Sequence, residues 1–202
     1  MEPGSRTNWS RRQMLQCAIA GATASALLPS TAWSTVRMST RPIPSSGEPL
    51  PMVGVGTYRT FDVGSSAPLR AAVKEVLLRL FEAGGSVIDS SPMYGTAESV
   101  AGDMLAELGM RDKAFIATKV WTDGRRRGAA QMRQSMERLR SDTIDLMQVH
   151  NLVDWRTQLK TMRGWREEEK FRYLGITHYT PGAFDRLIDV MEREQLDFLQ
   201  IP

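Results

Sequence analysis

Four residues of this sequence carry side chains that move protons, and three of them recur at a near-constant interval. Asp89 closes the short run "SVID", Lys119 closes "AFIATK" and His150 closes "DLMQVH"; thirty residues separate the first two and thirty-one the next two. Tyr94 follows Asp89 in "SSPMYG". A phenol, an ammonium, a carboxylate and an imidazole brought together suit one task, giving a proton to a carbonyl oxygen as hydride reaches its carbon. Free tyrosine titrates at about 10, poorly matched to neutral pH. A nearby ammonium is expected to lower that value, a carboxylate to keep the lysine charged and placed, and the histidine to orient the carbonyl oxygen. Taken singly, each residue has a plainer role: Asp89 as a turn cap with Ser90 and Ser91, Tyr94 as an exposed loop aromatic, Lys119 as a solvated strand end, His150 as a hydrogen-bonded core histidine. The chemical reading therefore requires a fold that makes them neighbours.

The elements between them supply one. Ser45-Ser46-Gly47-Glu48 is a turn signal between two short segments and predicts an N-terminal β-hairpin leading to a strand near Val53–Gly56. Pro68 opens a helix with Leu69, Val73, Val76, Leu77 and Leu80 at helical spacing, stopped by Gly84-Gly85 before "SVID". A second helix carries Val100, Met104, Leu105 and Leu108, and a third carries Met132, Met136 and Leu139, all read as core. The strand "IDLMQVH" is followed by a helix over 155–168. After "RYLGIT", Thr180 is expected to cap a helix started by Pro181, with Phe184, Leu187, Ile188 and Met191 inward. "LDFLQI" begins a sixth strand. The Arg125–Arg127 run reads as a solvated loop. Strands apolar on both faces and separated by helices imply parallel βαβ units. Their even repeat favours a parallel (β/α)8 TIM barrel, incomplete here at about six strands, over an open dinucleotide-binding sheet, since "GVGTYR" lacks the third glycine and a helix directly after it. In such a barrel the C-terminal strand ends share one face, so Asp89, Lys119 and His150 become predicted neighbours and Tyr94 reaches over the same rim.

The segments "GVGTYRTFD", "VIDSSPMYGTAES", "FIATKV", "DLMQVH", "YLGITHYT" and "DFLQIP" together resemble the aldo-keto reductase family, in the family's order. The resemblance implies Tyr94 as general acid/base, Lys119 and Asp89 as its tuning pair and His150 as substrate orienter. It also implies a nicotinamide dinucleotide, usually NADPH with NADH as the alternative, extended across the barrel mouth. Its contacts would be Thr57, Tyr58 and Asp89 near the nicotinamide and ribose, with Thr177, His178 and Gln200 at the carboxamide. Many members carry Ser-Asn where this chain has Thr177-His178. Trp121 would wall the substrate pocket.

The 202 residues are 42% hydrophobic and 24% charged, a globular profile, and the net charge of +3 comes from local clusters without the aromatic-basic motif of a nucleic-acid binder. One cysteine excludes an internal disulfide, and with two histidines a metal centre is not expected. Residues 1–34 read as a twin-arginine-type signal: Arg11-Arg12, an apolar small-residue stretch, then Pro29 and small-residue sites. The apolar stretch is too short for a transmembrane helix, so no stable membrane insertion is expected after processing. Export machinery would be a partner and the periplasm the destination, or the cytoplasm if the leader is silent. Residues 35–202 would form the partial barrel of a truncated reductase. Its expected activity is NADP(H)-dependent reduction of an aldehyde or ketone, against a catalytically inactive or regulatory member as the alternative.

Overall fold

The computed structural model describes residues 38–202, so the expected leader lies outside the described residues. The chain opens with an antiparallel hairpin of β1 (Thr40–Pro42) and β2 (Pro49–Pro51). There follow β3 (Gly54–Gly56), α1 (Ala67–Glu82), β4 (Val87–Asp89), α2 (Ala97–Leu108), β5 (Phe115–Val120) and α3 (Arg125–Arg138). The chain then continues through β6 (Ile144–His150), α4 (Trp155–Glu167), β7 (Phe171–Thr177), α5 (Phe184–Arg193) and β8 (Phe198–Gln200). Strands β3 to β8 pair in chain order and all in parallel, as in an incomplete (β/α)8 barrel.

Alternation along the strands explains why they are apolar on both faces. Ile88, Ile116, Val120, Met147, Val149, Leu174 and Ile176 pack outward with the helices in one large core. The residues between them face the barrel interior, where Phe115, Ala117, Leu146 and Tyr173 form a second cluster with Ile43 of the hairpin loop. Leu50, Val87 and Phe198 pack against that cluster, so the hairpin plugs the end of the barrel where the strands begin. Glu48 fastens the plug by accepting from the Tyr173 hydroxyl at 2.6 Å and pairing with Arg172. Burying Ile43 to 2% exposure contributes roughly 1.5–3 kcal/mol.

The helices follow their apolar stripes, with corrections. On α1, Val73, Leu77 and Leu80 are buried, but Leu69 and Val76 are exposed. On α5, Leu187 and Val190 are buried, whereas Phe184, Ile188 and Met191, expected inward, are exposed. The apolar stripe of α5 is therefore wider than the strip that is buried. Thr180 makes no side-chain cap: Pro181–Ala183 form a 3₁₀ turn, α5 starts at Phe184, and the Thr180 N–H donates to His178 Nδ1 at 3.1 Å. Arg125–Arg127 form the first turn of α3 rather than a loop. Where α2 crosses the end of α3, Gly102 is required, because a Cβ there would overlap the Arg138 carbonyl oxygen.

Candidate active site

The parallel register gathers the ends of adjacent strands. Asp89 pairs with Ala117 across β4–β5, Lys119 with Gln148 across β5–β6 and His150 with Thr177 across β6–β7. Because the pleat alternates, Asp89, Lys119, Gln148, His150, Thr177 and Gln200 all lie on the interior face.

Lys119 is 2% exposed, and its ammonium donates to Asp89 Oδ1 and to the Ser90 carbonyl, both at 2.7 Å. Burial lowers the lysine's pKa, opposed by the charge and hydrogen bond of Asp89 and by the charge of Glu98. The second carboxylate oxygen of Asp89 accepts from Gln200 Nε2 at 3.1 Å, and Gln148 Nε2 donates to Gln200 Oε1 at 2.9 Å. A polar chain therefore crosses the barrel from β5 through β4 and β8 to β6.

The Tyr94 ring stands above this pair, with the Lys119 nitrogen 5.6 Å from its centroid. Tyr58 tilts against it at 5.0 Å and 53°. The Tyr94 pKa is pushed up to about 12, first by burial and then by the negative charge of Asp89 and by Tyr58. This corrects the expectation of an ammonium-lowered phenol: the ammonium lies at the ring and is engaged by Asp89 and Ser90, so burial and the carboxylate prevail and the phenol stays protonated. His150 is 8% exposed and its pKa falls to about 4, through burial and the charge of Lys119. Its imidazole is neutral at physiological pH, and Nδ1 is buried without a partner. Trp121, 46% exposed, places its ring 6.3 Å from that imidazole.

The other expected contact residues divide into two groups. Tyr58 is exposed at the rim, and Thr177 and Gln200 lie on the interior face next to one another in register. Thr57 is fully buried and donates its hydroxyl to Ser90 Oγ at 2.8 Å, so it braces the strand end instead of lining the opening. His178 has its Nδ1 occupied by the turn and its ring stacked on Tyr179 at 5.7 Å. Sequence reasoning missed Ser90, Gln148 and Asn151. Gln148 was findable as a lone amide in a buried apolar strand, two residues before His150 and on the same face. Asn151 leaves its carbonyl oxygen buried and unpartnered in a turn where Asn151, Leu152 and Asp154 all hold left-handed backbone conformations.

Below the tetrad, an interior cavity of about 310 Å³ is lined by Asp89, Gln148 and Gln200 with Val87, Phe115 and Phe198 beneath them. Larger grooves of about 450 and 460 Å³ lie by α3 and α4 and touch none of the tetrad. The interior pocket, though smaller, is the one that reaches the group of four, through Asp89, and the candidate site is the strand-end face above it, where Tyr94, Lys119 and His150 stand.

The sequence profile described as the aldo/keto reductase family matches residues 52–201. The chain belongs to this family. It is similar to "Methylglyoxal reductase DkgA" of Salmonella typhimurium, 27% identical over 151 residues that cover 71% of this chain and 50% of that protein. It is also similar to "Methylglyoxal reductase YeaE" of Escherichia coli, 35% identical over 105 residues covering 50% of this chain and 35% of the relative. Among solved structures, an aldo-keto reductase of Bombyx mori in complex with NADP superposes with a TM-score of 0.64 at 23% identity, covering 82% of this chain and 58% of that one. This likeness shows the shared barrel fold. The chain spans about half the length of the curated relatives it matches.

Proposed function

We propose that this aldo/keto reductase acts, as part of a closed barrel, to reduce an aldehyde or ketone to the alcohol with NADPH. The observation that carries the proposal is a neutral phenol, Tyr94, set over a buried Lys119–Asp89 pair with a neutral imidazole, His150, on the neighbouring strand. A bound nicotinamide supplies the hydride. Tyr94 donates its proton to the carbonyl oxygen, and the phenolate so formed lies beside the Lys119 ammonium before solvent returns the proton. His150 orients the carbonyl oxygen, and Trp121 and Tyr58 wall the opening. The interior face fits the carboxamide end of such a cofactor: Gln148 Oε1 is a buried acceptor without a partner there, with Thr177 and Gln200 on the two following strands. His178 would join them through Nε2, since its Nδ1 already accepts from the Thr180 N–H. The curated relatives named methylglyoxal reductases support small carbonyl compounds as the substrate class.

A second reading, a non-catalytic family member, is favoured by one observation: among the described residues β3 and β8 each have a strand neighbour on one side only. Aldehyde-dependent NADPH oxidation separates the two readings. Tyr94→Phe is expected to reduce the rate by about 10²- to 10⁴-fold while cofactor quenching persists. Equal activity in the variant would remove Tyr94 from the chemistry, and the absence of turnover and cofactor binding in the parent would favour the second reading. We also infer that residues 1–34, with Arg11-Arg12 before an apolar stretch, are a twin-arginine-type leader directing the protein to the periplasm.

A further inference from the structure

The turn that carries Tyr94 is held by a side chain from another loop. Asp62 lies between β3 and α1, directly after Phe61, which is buried to 2% exposure and fixes that loop to the core. Asp62 Oδ1 accepts from both the backbone N–H and the hydroxyl of Thr96, each at 2.8 Å. The Thr96 hydroxyl in turn accepts from the Gly64 N–H at 3.0 Å. Thr96 stands at the N-cap of α2, yet its side chain makes no cap bond to that helix, because its hydroxyl is committed across to the neighbouring loop.

Gly95, between Thr96 and Tyr94, holds φ +59°, and a Cβ there would overlap the Asp62 carboxylate. The carboxylate is thus seated against the backbone next to Tyr94. The Tyr94 backbone belongs to the same turn, its N–H donating to the Ser91 carbonyl and its carbonyl accepting from Ala97 N–H, both at 3.0 Å. Tyr58, from the same loop as Asp62, packs on the Tyr94 ring with centroids 5.0 Å apart. One loop therefore meets this turn twice, with Asp62 bonded to Thr96 two residues after Tyr94 and Tyr58 packed on the Tyr94 ring.

We propose that Asp62 is a positioning residue whose two hydrogen bonds to Thr96 set where the Tyr94 ring stands at the barrel mouth. The inference rests on the reading of Tyr94 as proton donor. Ring-labelled tyrosine in the full chain tests it, because only four tyrosines are present and Tyr94→Phe assigns the resonance of interest. Asp62→Ala is expected to shift or broaden the Tyr94 ring signal and weaken its cross-relaxation with Tyr58, with Tyr173 unchanged. Asp62→Asn, whose amide oxygen accepts the same two bonds, is expected to restore the parent signal. A Tyr94 signal in Asp62→Ala that superimposes on the parent, whatever the change in melting temperature, overturns the proposal, as does Asn behaving no better than Ala. Should Asp62→Ala not fold, Thr96→Val removes one donor to the same oxygen; a smaller displacement of Tyr94 in the same direction supports the proposal, and none overturns it. The ring signal is read without turnover, so this outcome is independent of whether Tyr94→Phe loses carbonyl reduction.

Discussion

His150 feels the Lys119 charge and has the Trp121 ring 6.3 Å away, and its surroundings decide its charge. The folded pKa of about 4 stands below the ordinary 6.5, because burial and a nearby cation both penalise imidazolium. Between those two values the unfolded chain takes up a proton that the folded chain refuses. Stability therefore falls as pH drops from about 6.5 toward about 4, and His150 contributes nothing to pH dependence above that window. The expected outcome is an imidazole NMR signal that stays neutral at pH 5.5, and a fall in melting temperature over the window that is smaller in His150→Gln. Tyr94 obeys the same rule with opposite chemistry: held up at about 12, it remains the acid form through neutral pH. The types of these residues were legible in the sequence. Their pKa directions were not: the Lys119–Asp89 pair was expected and is present, but the burial of the Tyr94 ring and the hold of the Ser90 carbonyl on the ammonium were not readable from the sequence.

Among the elements, backbone proximity separates two helical glycines. Gly102 on α2 lies against the Arg138 carbonyl, whereas Gly164 on α4 has open space where a Cβ would project. Gly102→Ala must push α2 from α3 and is expected to cost about 1–3 kcal/mol. Gly164→Ala relieves the backbone entropy of a mid-helix glycine and is expected to gain about 0.5–1 kcal/mol. Urea unfolding of both variants checks the opposite signs. The period and spacing of apolar residues located the five helices and six parallel strands of the described residues, because burial of one stripe or two faces imprints directly on the sequence. The facing of α5 was misread because Phe184, Ile188 and Met191 are as apolar as Leu187 and Val190, and only contact with the sheet distinguishes them. The Arg125–Arg127 run was misread because its charge says solvent without saying loop or helix.

At the scale of the whole molecule, the sheet curls far enough for Gln200 on the last strand to bond Asp89 on the second, while the outer edges of β3 and β8 stay unpaired among the described residues. The hairpin seals the opposite end. The proposed leader is tested on the whole chain: replacing Arg11 and Arg12 together by Lys is expected to leave the unprocessed protein in the cytoplasmic fraction, and unchanged periplasmic recovery would remove the leader reading. The sequence by itself determined the class of fold, the order of its strands and the four residues able to move a proton, because alternation, helical period and a thirty-residue repeat are local properties of the chain. Only the tertiary structure decided that Asp62 grips the Tyr94 turn, that Thr57 is walled in, that Gln148 and Gln200 complete the polar chain, and that the phenol's pKa is pushed up and not down. Those facts depend on distances between loops and strands far apart in sequence, and on burial, which no short stretch of residues encodes.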